Sequence, residues 1–326
     1  DGTFTRVHPF IISHTKTMTR TREDGKEEVF SACIKHDDTR YLGGNKSSSV
    51  VATKLQGRPR SGISYDKANE FCANRGDWIT MIDYLEYCAL QALCYIEYAN
   101  FDNQAALNTN LTSDGFKQGG LGAGVTNLTW NGWTAFNGNN PIVQTYWTAE
   151  HNIGNGSTNG DHYELGNYNT DGSNLNTYPA VYRGILNFFG DIWTFIRDVA
   201  IINRNVNYNS VYLLKKGVNH SDVTKDNIQD KCYFIGDQAN TDNFITEFDF
   251  RFGTYFIPNK VGTNKKADYN WKRGNDGQDT DKSICVLMLG GRVNDGSGAG
   301  SGHFVSHWVR SDSDACAGFF TTVKLD

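Results

Sequence analysis

Tyr182-Arg183-Gly184-Ile185-Leu186-Asn187-Phe188-Phe189-Gly190-Asp191-Ile192-Trp193-Thr194-Phe195-Ile196 is the strongest local pattern in the chain. It reads as a turn, then a strand rich in Ile, Trp and Phe that continues to Ile202 and is broken by Gly190-Asp191. Aromatic and β-branched residues suit a pleated, buried surface, and Gly beside Asp supplies the backbone freedom for a break. Trp193, inside this apolar run, is expected to plug the core. Outward from it, Val211-Tyr212-Leu213-Leu214 reads as another strand. Ile284-Cys285-Val286-Leu287-Met288-Leu289 and Gly318-Phe319-Phe320-Thr321-Thr322-Val323 read as two further β-rich stretches, separated by a loop rich in Gly, Ser, Asn and Asp.

Upstream the period changes. Ser64 is placed to cap a helix in which Ala68, Phe71 and Cys72 share a face, with Gly76 as its stop. A second helix is expected from roughly Met81 to Ala99. Leu85, Cys88, Ala89, Ala92, Leu93, Tyr95 and Ile96 recur there at helical spacing and predict a wide buried face. Asp83 and Glu86 near its start suit the helix dipole. Residues 1–60 are polar, with alternating stretches such as Phe30-Ser31-Ala32-Cys33-Ile34, and read as strands at the edge of a sheet. Residues 100–180 are dominated by Gly, Asn, Thr and aromatics. A structureless loop of that length does not suit a compact domain, so short strands, turns and aromatic plugs are expected there. These features predict an α+β fold with two helices packed on twisted antiparallel sheets and long loop insertions. The division expected is a strand-rich segment at 1–60, then a second unit at 61–326.

Composition narrows the function. The 326 residues can bury a sizeable core. Net charge is -5, and Lys54-Leu55-Gln56-Gly57-Arg58-Pro59-Arg60 is too short to track phosphates, so no nucleic-acid partner is expected. Mean hydropathy is -0.52 and no apolar run approaches bilayer length, which argues against direct membrane insertion. The start carries no signal-peptide pattern. It opens at Asp1-Gly2-Thr3-Phe4 without methionine, which leads us to expect residues upstream. Seven cysteines, none in a C-x-x-C pair, read as buried thiols of a protein made in a reducing cytosol, with one disulfide left open. No internal repeat is found at solenoid or propeller periods.

Four stretches together resemble the C-type-lectin fold in its formylglycine-generating-enzyme-like branch. They look like phage tail receptor-binding proteins and the variable proteins of diversity-generating retroelements. These stretches are the helix at 63–76, the segment from Met81 to Gln104, the opening stretch 182–196, and Leu289-Gly290-Gly291-Arg292-Val293-Asn294-Asp295-Gly296-Ser297-Gly298-Ala299-Gly300. The stretch at 182–196 is similar to the family's "RGIEN-aromatic-GNIW" core, and the last to its "LGG-x-W-N-N-G-S-x-A-G" ending. These two are the specific ones, and coverage runs from about residue 60 to the end. Val293 departs from the pattern, standing where the family has tryptophan.

The resemblance implies a receptor- or ligand-binding protein, an adhesin on a virion tail or cell surface after synthesis in the cytoplasm. Its partner would be a protein or a glycan, and a homo-oligomer fits as well as a monomer. It implies a display surface at about 268–316, with exposed Tyr269, Trp271, Arg273, His303, His307, Trp308 and Arg310 making contacts. Asn294 and Asp295 would add polar contacts, and Gly298 and Ser301 would leave room for a protruding group. Asp295, Gly298, His303, His307 and Arg310 would suit positions exchanged by a retroelement.

Chemistry was weighed at each cluster. The copper-holding cysteine pair of formylglycine-generating enzymes is not reproduced by Cys285 and Cys316. Asp276, Asp279 and Asp281 read as a solvated loop, since no Glu follows at EF-hand spacing. His303 and His307 sit among glycines where a metal-binding helix does not fit, and read as isolated histidines of a display loop. Trp130, Trp133 and Trp147 read as plugs for irregular insertions rather than sugar platforms. No catalytic residue, metal or cofactor is therefore expected. The rival readings are a fixed structural tail component and, further off, a copper oxidase of the formylglycine-generating type.

Overall fold

The structure, a computed structural model, describes residues 11–12, 17–21, 27–31, 63–74, 79–103, 163–165, 175–177, 181–182, 185–186, 188–190, 192–205, 208–264, 266–272, 284–292, 295, 298–314 and 317–323. Helix α1 (Tyr65–Ala73) begins where Ser64 leaves extended backbone and its hydroxyl accepts the Lys67 N–H at 3.3 Å. Tyr65, Ala68 and Cys72 form its buried face. Helix α2 (Tyr84–Tyr98) opens with a full capping box: Asp83 accepts the Glu86 N–H at 2.9 Å, and Glu86 accepts the Asp83 N–H at 3.1 Å. It closes at Ala99 in the left-handed region, with φ 48°.

The buried face of α2 differs from the one its aliphatic spacing predicts. Tyr84, Tyr87, Cys88, Gln91, Cys94 and Tyr95 point inward. Leu85, Leu93 and Ile96 are 49%, 56% and 76% exposed, and Ala89 is exposed as well. Both stripes have helical spacing; the tyrosines prevail because each ring buries a large area, and the hydroxyls of Tyr84 and Tyr95 find partners while that of Tyr87 does not. Tyr84 donates to the Phe256 carbonyl at 2.6 Å, and Tyr95 accepts from Gln91 at 2.8 Å.

Nine strands form one open, mixed, mostly antiparallel sheet: β1 (Trp193–Asn205), β2 (Tyr208–Leu214), β3 (Cys232–Gln238), β4 (Asn243–Arg251), β5 (Tyr255–Gly262), β6 (Tyr269–Trp271), β7 (Cys285–Gly290), β8 (Gly300–Val309) and β9 (Ala317–Gly318). Their order is β3-β2-β1-β7-β8-β6-β4-β5, with β9 lying parallel to β1 at Trp193–Ala317. The β6–β8 pair is also parallel. The sheet curls until its edges approach, and the Ala239 N–H donates to the Pro258 carbonyl at 2.7 Å. The early segment contributes a hairpin, Thr17–Thr21 with Glu27–Ser31, and a strand Ile11–Ile12 that pairs with Thr321–Val323. The C-terminal strand also pairs with Ile79–Met81, just before α2. Two short hairpin pairs, Tyr163–Leu165 with Leu175–Thr177 and Val181–Tyr182 with Ile185–Leu186, lie within or beside the Gly/Asn-rich stretch. Trp130, Trp133 and Trp147 lie outside the described residues, as do Cys33, Cys316 and the Asp276–Asp281 loop.

The strand read from the opening stretch is the centre of this architecture. Trp193 and Phe195 face one core cluster with Val286, Met288 and Val305; Ile196, Val199 and Ile201 face another with Leu287, Leu289 and the α2 tyrosines. Cys72, Cys88, Cys94, Cys232 and Cys285 are buried thiols, and burial pushes Cys88 and Cys94 up to about 12. Among the described residues no helix is long and apolar enough to cross a membrane.

Strand β8 passes over a buried carboxylate. Asp268 accepts the Gly302 N–H at 2.8 Å, and its own carbonyl accepts the Ile245 N–H at 2.8 Å. A Cβ on Gly300 would overlap the Asp268 carboxyl group, and one on Gly302 would stand 2.6 Å from the Tyr95 hydroxyl. Between them Ser301 donates its N–H and its hydroxyl to Asn103, at 2.8 and 2.5 Å. Gly300→Ala is therefore expected to displace Asp268 and cost about 2–4 kcal/mol, the range for a disrupted buried polar group, as read by urea unfolding.

His220 is buried against Tyr65, with ring centroids 5.2 Å apart, and its Nε2 lies 3.3 Å from the Cys285 carbonyl. Burial pushes its imidazole down to about 4. The unfolded chain takes up the proton near pH 6.5, so stability is intact above that value and falls as pH drops towards 4. Asp198 and Glu86, raised by burial to about 6, act the other way: their contribution is full at low pH and is lost as pH rises through about 6. Comparison with His220→Gln isolates the histidine. The native chain should lose roughly 2–3 kcal/mol more than the variant between pH 7 and pH 4.5.

Candidate functional site

The loop between β7 and β8 starts with two glycines that no other residue replaces without strain. Gly290 and Gly291 have φ 97° and 74°, and a Cβ on Gly291 would stand 2.7 Å from the Ala299 Cα. The chain therefore turns back on itself, with the Asp295 N–H donating to the Arg292 carbonyl and the Gly298 N–H to the Asp295 carbonyl, both at 3.0 Å. That turn places the Asp295 carboxylate over Trp193. Asp295 Oδ2 accepts the Trp193 indole N–H at 2.9 Å and the Arg292 N–H at 2.8 Å, and Oδ1 accepts Arg292 Nε at 3.0 Å. The Arg292 guanidinium lies 4.3 Å from the centroid of the Trp193 ring and 5.8 Å from that of Trp271. Such a contact adds about 1–2 kcal/mol where it is partly desolvated.

Next to this hub is a cleft of about 380 Å³, lined by Asp242, Phe244, Tyr269, Trp271, Asp295, Gly298 and His303. Strand pairing assembles it: Phe244 of β4 is opposite Tyr269 of β6, and Trp271 is opposite Val305 of β8. The Phe244 and Tyr269 rings meet edge to face at 5.3 Å. At the rim, Asp242 accepts the Lys272 N–H at 2.7 Å, while the Lys272 ammonium is directed to Asn240 at 3.2 Å. Partial burial raises the Asp242 carboxyl above its ordinary value.

His303 forms the buried wall. Its Nδ1 lies 2.9 Å from the Gly298 carbonyl, so Nδ1 carries the hydrogen and Nε2 bears the lone pair. Nε2 has no hydrogen-bond partner and stands 3.6 Å from Asp295 Oδ2. Burial lowers the His303 pKa, against the pull of Asp295.

The residues selected from sequence divide accordingly. Tyr269, Trp271, Asp295, Gly298 and His303 converge on the cleft. His303 and Ser301 are buried in β8, 1% and 0% exposed, which corrects the expectation that this histidine sits on an exposed loop: residues 300–309 form an interior strand paired on both sides. Ser301 serves Asn103 instead of a ligand. Gly298 is buried too, and a Cβ there would meet the Tyr269 Cβ at 2.9 Å. His307 and Trp308 are half-buried around Trp193, with centroid separations of 6.4 and 5.6 Å. Arg310 belongs to the far end of β8, where it pairs with Asp66 of α1 at 3.3 Å. Arg273 and Asn294 lie outside the described residues. Asp242 and Phe244 were missed because no local motif marks them; only the β4–β6 pairing brings them in. Arg292 carried a signal, following Gly290-Gly291 directly in the quoted ending.

Removing the Asp295 acceptor should strand three donors. Asp295→Ala is expected to cost about 3 kcal/mol in urea unfolding, and Asp295→Asn less, since its amide oxygen still accepts. A change below about 0.5 kcal/mol for the alanine variant would remove Asp295 from its place as the anchor of the loop. Comparison of the chain with protein-family models and with curated proteins finds no match in either.

Proposed function

We propose that the chain is a binding protein that presents a receptor or ligand site on a C-type-lectin-type scaffold, at a virion tail or cell surface. The observation that carries this reading is the convergence on one cleft of Tyr269, Trp271, Asp295, Gly298 and His303, five of the eleven contact residues expected over 268–316. The cleft has the size of a small-ligand site and combines aromatic walls with a few aimed polar groups. Catalysis does not suit these groups: Asp295 is occupied by three donors and His303 Nδ1 by a backbone carbonyl. The thiols of Cys88, Cys94 and Cys232, raised to about 12, 12 and 11 by burial, are protonated and unreactive at neutral pH.

A retroelement-diversified protein fits the same scaffold, with one revision to the positions that would change. Asp295, Gly298, Ser301 and His303 hold the loop and the sheet, so exchange there would cost stability. Half-exposed Tyr269, Trp271 and His307 can change with less disturbance. Sequencing the coding locus across many isolates tests this. Substitutions piled up at Tyr269, Trp271, His307 and the neighbouring loop codons, with Asp295 and His303 constant and a reverse transcriptase nearby, are the expected result. A segment 268–316 as invariant as β1 would overturn diversification and favour a fixed tail component.

A further inference from the structure

We infer that the cleft takes a primary ammonium group, such as the end of a lysine side chain on a partner protein or a small free amine. The inference rests on the cleft being a binding site and specifies its chemistry.

An unanswered acceptor and a carboxylate charge face each other at its buried wall. His303 Nε2 bears a lone pair because Nδ1 is committed as donor to the Gly298 carbonyl, and Asp295 Oδ2 is a carboxylate oxygen 3.6 Å away. The imidazole is 99% buried, lines the cleft and has no hydrogen-bond partner at Nε2. Buried polar atoms are rarely left this way, and each such atom calls for an explanation. A ligand hydroxyl can answer the His303 lone pair but brings no charge to meet the Asp295 carboxylate, whose Oδ2 already accepts two N–H groups. An ammonium answers the lone pair with one hydrogen, brings the positive charge, and keeps two donors for the rim.

The remaining lining points to the same charge. Phe244, Tyr269 and Trp271 supply aromatic surface, and ring faces attract cations. Asp242 and Asp295 supply two carboxylates, while the described lining includes neither lysine nor arginine. Arg292 compensates Asp295 from outside the cleft, and the nearby Lys272 ammonium is turned to Asn240. Asp242 adds a second carboxylate at the rim, partly offset by its hydrogen bond from the Lys272 N–H and by the Lys272 charge. A quaternary ammonium would keep the charge but lose every donor, leaving His303 Nε2 unanswered.

The test is a titration of the full chain at pH 7.5 with Nα-acetyl-lysine N-methylamide, followed by NMR of the His303 ring and the Trp271 indole. The trimethyl-lysine, norleucine and methyl glucoside analogues are run alongside. Saturable shifts of both signals by the lysine probe are expected, at least tenfold weaker with trimethyl-lysine and absent with norleucine. Asp242→Asn, at an exposed rim position, should weaken the lysine probe about three- to tenfold with unchanged urea unfolding; His303→Phe should abolish binding if it folds. Short peptides with and without lysine, and free alkylamines, separate a protein partner from a small amine. Silence of the lysine probe overturns the inference. So does equal binding of trimethyl-lysine, or preferential binding of the glucoside; either of these would leave the cleft as a binding site for another ligand. Failure of the broader binding reading is seen separately, in an invariant locus together with a cleft silent to every probe.

Discussion

The carboxylate of Asp295 ties the turn that leads into β8, together with its own Arg292 guanidinium, to the indole of Trp193 in the central strand, 102 residues away in sequence. Trp193 is 1% exposed, and its indole N–H requires an acceptor in a place water does not reach. Asp295 provides it, and in doing so draws the Gly290–Gly300 loop down onto the sheet. The Arg292 guanidinium then lies 4.3 Å from the Trp193 ring centroid and offsets the buried charge. A carboxylate this enclosed would be costly alone; three donors, one of them the Arg292 cation, make it an anchor.

A second buried carboxylate performs the same task further along the chain. Asp268 grips the Gly302 N–H, and the glycines on either side of Ser301 exist because side chains there would strike it. Asp268 holds the start of β8 and Asp295 holds the turn before it, and Asp295 also lines the cleft. Its walls are therefore scaffold as much as contact surface. His303 illustrates this: its Nδ1 secures Gly298 while its Nε2 faces the cleft. Such a residue can recognise a ligand, but it cannot vary without loosening the loop that displays its neighbours.

Helix α2 shows a different balance. Its tyrosines occupy the core, with hydroxyl groups reaching Phe256 and Gln91, while its leucines and isoleucine stay outside. Helical spacing finds the right element and, through Cys88 and Tyr95, part of the buried face, but it places Leu85, Leu93 and Ile96 inside where tyrosine rings take the space. Asp83 and Glu86 were legible as acids suited to the helix start; the reciprocal capping box they form emerges in the structure. The Ser64 cap was legible as a cap.

Local order decided much on its own: the start of α1, the existence of α2 though not its first residues, the core strand through Trp193, the strands at 211–214 and 284–289, and the two glycines that force the turn after β7. Each depends on residues a few positions apart, where backbone sterics and hydrogen bonding act without help. The resemblance carried by the Gly-rich ending also pointed to five residues of the cleft. Tertiary structure alone decided which of the marked residues share a site. It buried His303 and Ser301 inside a strand paired on both sides, sent Arg310 to Asp66, and brought Asp242 and Phe244 across from β4. Strand pairing between distant segments sets those outcomes, and no periodicity within one segment encodes which neighbour it will meet.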